Sequence, residues 1–200
     1  MSKPKPFSQA CDNNREPILG VIRPLLADCR AVLEIGSGTG QHAAYFATEL
    51  PHLQWLTSDL PEHHAGIRMW TEDADLPNLH APLTLDVLQY PWPDVDVDAV
   101  FSANTAHIMS WQMVEALFGG VVKLLPAGGQ FLLYGPFNYA GNYTSDSNAI
   151  FDGWLKARDP ESGIRNFEQL QALAEAGSMS FVHDYEMPAN NRILHWRKDD

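Results

Sequence analysis

A chain of 200 residues, 45% apolar and 10% aromatic, can bury a real core and has the length of one ordinary α/β domain, read here as a single domain over 1–200. Its 13 basic residues face 25 acidic ones for a formal net charge of −12, and no run of Lys or Arg occurs, which argues against nucleic acid as a partner because phosphate binding needs clustered cations. No apolar run approaches the ~20 residues that span a bilayer, MSKPKPFSQA has no apolar core behind its charge, and Cys11 and Cys29 fit no C-x-x-C pattern, so no membrane contact and a soluble, cytoplasmic protein with reduced thiols are expected.

Residues 1–16 are polar and rich in Pro and Asn, and read as an arm. Pro17 can open a short helix with Ile18, Leu19, Ile22 and Leu26 among its apolar positions, bent at Pro24. Strand and helix then alternate. Ala31–Ile35 reads as a buried strand, 41–50 as a helix ended by Pro51, 53–58 as a second strand, 62–73 as a helix, and 82–85 as a third strand. Ala99–Ala103 is the fourth. Trp111, Val114, Phe118, Val121 and Leu125 step by three and four, which predicts a helix with one apolar face, interrupted in propensity by Gly119-Gly120. The turn Pro126-Ala127-Gly128-Gly129 leads into a strand over 130–134, then a polar loop to about Ser147 and helices near 150–158 and 167–175. Two strand-like runs, Met179–Met187 and 192–198, close the chain. Alternation implies a parallel sheet covered on both faces, and the last two strands imply an antiparallel hairpin at its edge.

Val32-Leu33-Glu34-Ile35-Gly36-Ser37-Gly38-Thr39-Gly40 runs a strand into a glycine turn and a helix. Ligands of open α/β sheets bind at the carboxyl ends of the strands, where glycines admit the ligand and the next helix offers free N–H groups. The spacing G-x-G-x-G differs from the G-x-G-x-x-G of nicotinamide sites. Asp59 follows the second strand, 19 residues after Gly40, a spacing that favours a carboxylate accepting two ribose hydroxyls over the other reading, a cap of the helix that follows. Asp86 closes the third strand, with adenine contact and a strand-end cap both open to it. Glu34 suits loop N–H groups and the ammonium side of a ligand.

Glu34-x-Gly36-x-Gly38-x-Gly40, then Asp59, Asp86 and Leu125-Pro126-Ala127-Gly128-Gly129, resembles the class I S-adenosylmethionine-dependent methyltransferases over roughly 31–198. The resemblance implies a Rossmann-like seven-stranded, mostly parallel sheet with an antiparallel C-terminal strand, helices on both faces, and S-adenosylmethionine in the turn. It groups Glu34, Gly36, Ser37, Gly38, Gly40, Asp59, Leu60, Asp86, Val87 and Asn104 as the cofactor site. Three further stretches, 10–18, Gly135-Pro136-Phe137-Asn138-Tyr139 and Met187-Pro188-Ala189-Asn190-Asn191-Arg192, together with Arg158-Asp159-Pro160-x-x-Gly163-Ile164-Arg165, resemble the methyltransferase-like protein 26 family, a group of unknown function. That closer resemblance implies an arm that folds over the cofactor and makes Arg15 a candidate for the methionine carboxylate; a solvated arginine is the other reading.

Methyl transfer from a sulfonium needs an aligned nucleophile and, where that nucleophile is protonated, a base. Ser102-Ala103-Asn104-Thr105-Ala106-His107 lacks the Asp/Asn-Pro-Pro-aromatic signature of base amino methylation, and the ends of strands four and five lack the acidic residues of metal-dependent enzymes, so no metal is expected. His107 is the candidate base, or else an exposed or capping first-turn histidine. Tyr139, with Tyr134 and Asn138, can orient substrate or simply pack the loop. His63 and His64 point to different helix faces and make no metal site. The expected activity is methyl transfer to a small-molecule acceptor whose O, N or S nucleophile is open. A protein or peptide acceptor and a non-catalytic S-adenosylmethionine-binding module are the alternatives.

Overall fold

The computed structural model describes residues 4–200; the first three residues of the arm read over 1–16 lie outside the described residues. In chain order the elements are α1 Gln9–Leu25, β1 Ala31–Ile35, α2 Gln41–Glu49, β2 Gln54–Asp59, α3 His64–Ala74, β3 Leu79–Thr84, β4 Ala99–Ala103, α4 Trp111–Leu124, β5 Gln130–Gly135, β6 Phe137–Asn138, α5 Asp146–Arg158, β7 Arg165–Asn166, α6 Phe167–Ala176, β8 Met179–Met187 and β9 Asn191–Lys198. Seven strands form one sheet in the order β3-β2-β1-β4-β5-β9-β8, and β6 and β7 make a separate parallel pair. β1 pairs parallel with β2 and β4, and β2 with β3; β9 runs antiparallel to both β5 and β8. The expected mostly parallel sheet with its antiparallel C-terminal strand is the observed one.

The chain packs as two compact units, one ending at Phe101 and the other spanning Ser102–Asp200. In the first, all five residues of β1 are buried, as a strand covered on both faces requires. Phe46 of α2, Trp55 of β2 and Phe101 of β4 meet at ring separations of 5.3–6.0 Å and centre the core. Asp98 starts β1 by accepting hydrogen bonds from the backbone N–H groups of Arg30 and Ala31, at 2.5 and 3.1 Å. One carboxylate of the Asp94, Asp96 and Asp98 run therefore caps a strand.

In the second unit Phe118 of α4, Phe131 of β5 and Trp196 of β9 form a ring cluster at 5.3–5.7 Å, and the Trp196 indole donates to Gln171 Oε1 of α6 at 2.8 Å. α4 runs unbroken through Gly119 and Gly120. Its buried face of Val114, Leu117, Phe118 and Val121 outweighs the propensity cost of two glycines, roughly 1 kcal/mol each.

One expectation is corrected. The chain is helical from Gln9, not from Pro17, so of the described residues only 4–8 form an arm. Ser8 caps this helix, its Oγ accepting from the N–H of Cys11 at 3.4 Å, and Asn14 and Arg15 gain partners on α2. Those contacts carry the helix through Pro17 despite the hydrogen bond a proline forfeits. Polarity alone predicts a loose segment there.

Candidate functional site

The first unit carries the glycine turn. Gly36, Gly38 and Gly40 all have positive φ, at 75°, 58° and 89°, a region that L side chains rarely adopt. At Gly40 a Cβ would stand 3.0 Å from the Ile67 Cα and 3.2 Å from the Trp70 Cβ, so this glycine also lets α3 approach. At Gly38 a Cβ would meet nothing within 4 Å; the tip of the turn is open.

The turn is wired to the neighbouring strand. The N–H groups of Gly36 and Ser37 both donate to Ser58 O at 3.0 Å, and Gly38 N–H donates to Asp59 Oδ2 at 2.7 Å. The other oxygen of Asp59 accepts from its neighbour Leu60 N–H at 2.7 Å. Asp59 is therefore not the cap of α3, which begins at His64 after a turn; His64 instead donates from Nε2 to Asp59 O at 3.0 Å. Glu34, 2% exposed, accepts from the Ser37 hydroxyl at 2.8 Å and the Trp55 indole at 3.3 Å. Burial pushes its carboxyl up to about 7 against the opposing pull of those two donors, with the nearby Asp59 charge adding to the rise. Asp86 accepts from Leu88 N–H and Gln89 Nε2, both at 3.0 Å, and so closes the turn after β3. Val87 beside it is buried, and its carbonyl accepts from the Trp92 indole at 3.4 Å.

Residues 5–8 lie on α2 and α3 within this unit. Gln41, first residue of α2, binds Ser8 through both ends of its amide, taking the Ser8 N–H and donating to Ser8 O. Trp70 donates from Nε1 to Pro6 O at 2.7 Å, and the Lys5 ammonium sits over the Trp70 ring and against Asp73. His42 donates to Asn14 Oδ1 at 2.7 Å; burial, with the charge of Arg15 nearby, pushes its imidazole down to about 4. Arg15 itself pairs with Asp12 at 3.1 Å and lies over the Tyr45 ring. Gln41, His42 and Asn14 escaped the reading of the sequence. A polar pair Gln41-His42 at the buried start of a helix was the available signal.

The second unit holds the remaining candidates. Asn104 directly follows β4 in the left-handed region, φ 59°, and its N–H donates to Tyr134 O at 2.9 Å. His107 is buried in the turn that follows, its ring edge-on to Phe151 at 5.3 Å, and a Cβ at Gly135 would stand 3.7 Å from its Nδ1. Burial, then the charge of Arg165, pushes the imidazole down to about 4, so it is neutral across the physiological range. Arg165 pins this turn: Nε donates to Ala106 O at 3.0 Å, and one terminal nitrogen donates to Met109 O and to Glu161 O. Gly163 N–H donates to His107 O at 2.8 Å. Arg165 entered the sequence reading only as part of a resemblance, because nothing local marks an arginine that folds back onto carbonyls 56 and 59 residues away.

Tyr139 is half-buried, stacked on Phe167 at 5.6 Å, and donates its hydroxyl to Asp184 Oδ2 at 2.6 Å. Burial, with that hydrogen bond and the Asp184 charge, raises its phenol well above the ordinary range, so it stays protonated. Among the described residues no three His, Cys, Asp or Glu side chains converge as a metal would require. No helix among them is long and apolar enough to cross a membrane.

A family model described as a protein of unknown function, DUF938, matches residues 5–198. The chain belongs to the DUF938 family. Among solved structures this DUF938 protein is similar to an O-methyltransferase family protein from Burkholderia thailandensis, at 15% identity and a TM-score of 0.81, over 92% of this chain and 56% of that one. It is similar to an O-methyltransferase family 2 protein from Planctomyces limnophilus in complex with apigenin, at 17% identity and 0.81, over 93% and 56%. A third similarity is to human N-acetylserotonin methyltransferase in complex with SAM, at 14% identity and 0.81, over 96% and 53%. At these identities the likeness is one of fold. The DUF938 chain spans about half the length of these three structures.

Proposed function

We propose that this protein is an S-adenosylmethionine-dependent methyltransferase that acts on a small molecule. The observation that carries the reading is the tie between Asp59 and the N–H of Gly38, which sets a carboxylate beside an open, left-handed turn at the carboxyl end of β1. Each Asp59 oxygen takes one backbone N–H and keeps a lone pair for a ribose hydroxyl. Glu34, buried with the Ser37 hydroxyl and the Trp55 indole as its donors among the described residues, suits a ligand that brings positive charge. Asp86, Leu60 and Val87 complete the nucleoside side. Arg15 serves the methionine carboxylate by exchanging its pairing with Asp12. The segment from Lys5 to Ser8, held by Trp70 and Gln41, acts as a strap beside the turn.

S-adenosylmethionine, when bound, supplies an electrophilic methyl group. The chain's own residues then have to hold the acceptor in line and take its proton. His107 is the residue assigned the second task; burial keeps its ring neutral at any pH above about 4, and the same burial makes it a weaker base than a free imidazole. Tyr139, whose hydroxyl is committed to Asp184, positions the loop after β5 rather than moving a proton. The similarity in fold to O-methyltransferases, one of them in complex with apigenin, favours an organic hydroxyl among the possible acceptors. The resemblance to methyltransferase-like protein 26 belongs to the same reading.

Calorimetric titration with S-adenosylmethionine, S-adenosylhomocysteine and NAD is the test. Micromolar binding of both sulfur nucleosides and none of NAD is expected; failure of both to bind would remove the reading.

A further inference from the structure

The parallel pair β6 and β7 joins two short segments of the second unit, with Phe137 opposite Arg165 and Asn138 opposite Asn166. β6 starts two residues beyond the carboxyl end of β5, the end of an α/β sheet at which ligands bind. Residues opposite each other in a parallel pair share a face, with backbones about 5 Å apart, so the side chains of Asn138 and Asn166 leave the pair on the same face. Their sequence neighbours are spoken for: Arg165 reaches the carbonyls of Ala106 and Met109, while Tyr139 and Phe167 stack and turn to Asp184 and Phe181.

The two amides differ from that surrounding. Asn138 is 7% exposed, and its Oδ1 is buried with no hydrogen-bond partner among the described residues; Asn166 Oδ1 is in the same condition. Asn166 is the residue before α6, where asparagine ordinarily caps the helix, yet its side chain makes no cap bond. Its nitrogen turns instead to Gln169 Oε1 at 3.3 Å. Two neighbouring buried acceptors without donors are a costly arrangement, and buried polar groups of this kind are retained where something else satisfies them.

We propose that the Asn138–Asn166 pair is the acceptor-recognition element of this protein, binding a substrate through a hydroxyl or amino group that donates to the two amide oxygens. The inference rests on the methyltransferase reading for the word acceptor, and on the amides alone for the ligand chemistry. It selects molecules with a free donor over the same molecules with that donor methylated, as an enzyme that must release a methylated product requires.

The test follows the side-chain amide resonances of both asparagines by NMR in the full chain saturated with S-adenosylhomocysteine. The probes are phenol, aniline and cyclohexanol, each beside its methylated counterpart: anisole, N,N-dimethylaniline and cyclohexyl methyl ether. The donor-bearing probes are expected to shift both amides, and the capped ones to bind about tenfold more weakly. Asn138→Leu and Asn166→Leu should each erase the discrimination. Asn138→Asp, which keeps the shape and an acceptor, should retain phenol binding and favour the amine, a change of preference that a purely structural residue would not give. Equal binding of free and capped probes, or unmoved amide resonances in the presence of all six, would overturn the proposal and leave water as the partner of the amides. If S-adenosylhomocysteine itself does not bind, the methyltransferase reading fails, while the amide resonances still report on the pair.

Discussion

Asp59 Oδ2 accepts the N–H of Gly38 at 2.7 Å, so the end of β2 and the tip of the turn after β1 are held by one carboxylate. The residues stand 21 apart in sequence, Asp59 at the end of β2 and Gly38 in the turn after its parallel neighbour β1, so the bond fixes the turn relative to the sheet rather than to its own helix.

Asp59→Ala removes the acceptor for two N–H groups at once. The Gly38 N–H lies in an exposed setting and can turn to water, so a loss of about 1–2 kcal/mol of stability is expected. The effect on S-adenosylhomocysteine affinity should be larger, well over tenfold, because the turn loses its tether and the ribose its acceptor. Chemical denaturation and calorimetry on the same variant measure both. A stability loss with unchanged affinity would place Asp59 outside the binding site.

The glycines of the turn make separable predictions. Gly40→Ala meets the Ile67 backbone at 3.0 Å in addition to the cost of φ 89°, and it should destabilise the fold by roughly 2–4 kcal/mol. Gly38→Ala has only the cost of φ 58° and open space around it, about 1 kcal/mol. Thermal unfolding should therefore rank Gly40→Ala far below Gly38→Ala. Ligand affinity should fall sharply in Gly38→Ala even so, since the added methyl occupies the space left at the turn. Equal melting temperatures for the two variants would contradict the packing of α3 against Gly40.

Much of this was written in the sequence, and the parts that were not share a cause. Ala31–Ile35 and Ala99–Ala103 were legible because buried strands leave continuous apolar runs, and Met179–Met187 because turn residues bracket it. The G-x-G-x-G turn was legible because glycine adopts its left-handed backbone at the least cost. The helix over 9–16 was hidden because its support is tertiary, from His42 and Tyr45 on α2. β6 and β7 were hidden because two-residue strands have no period, and their pairing spans 28 residues. The Arg165 clamp and the Gln41–Ser8 clamp are side-chain-to-backbone bonds, which depend on where the backbone goes rather than on which residues it passes.

Glu34 links binding to pH. Its folded-state carboxyl is raised from 4.5 to about 7, so its stability contribution to the free protein is fully present below about pH 4.5 and is lost as pH rises through about 7. A ligand that places positive charge beside it favours the ionised form. At pH 6 binding should therefore expel close to one proton and affinity should weaken as pH falls further, by up to about tenfold per unit; at pH 8.5 neither effect remains. Titrations with S-adenosylmethionine in phosphate and in Tris at each pH measure the proton through the difference in apparent enthalpy. Glu34→Gln should abolish that difference. A buffer-independent enthalpy at pH 6 in the wild type would rule the linkage out.

Arg165 supports the candidate base without touching any reacting atom. Its guanidinium satisfies Ala106 O, Met109 O and Glu161 O, and the first two belong to the turn that carries His107. Burial holds its basicity below the usual range, yet arginine stays charged, so the carbonyls keep an ionic donor at all working pH values. Arg165→Met preserves much of the stem's packing and leaves those carbonyls unpaired, at a cost of about 2–3 kcal/mol. Arg165→Lys can supply a charge but not the fork that spans two carbonyls, and should recover less than half of the loss. The turn, freed, should let the His107 ring reach water. Its imidazole, about 4 in the wild type, should then move toward 6.5, both because burial lessens and because a neighbouring positive charge is gone in the Met variant. NMR titration of the His107 ring protons in the two variants follows this directly. An imidazole that still titrates near 4 in Arg165→Met would mean that the turn holds its place without the clamp, and that burial by Phe151 and its neighbours alone sets the state of the base.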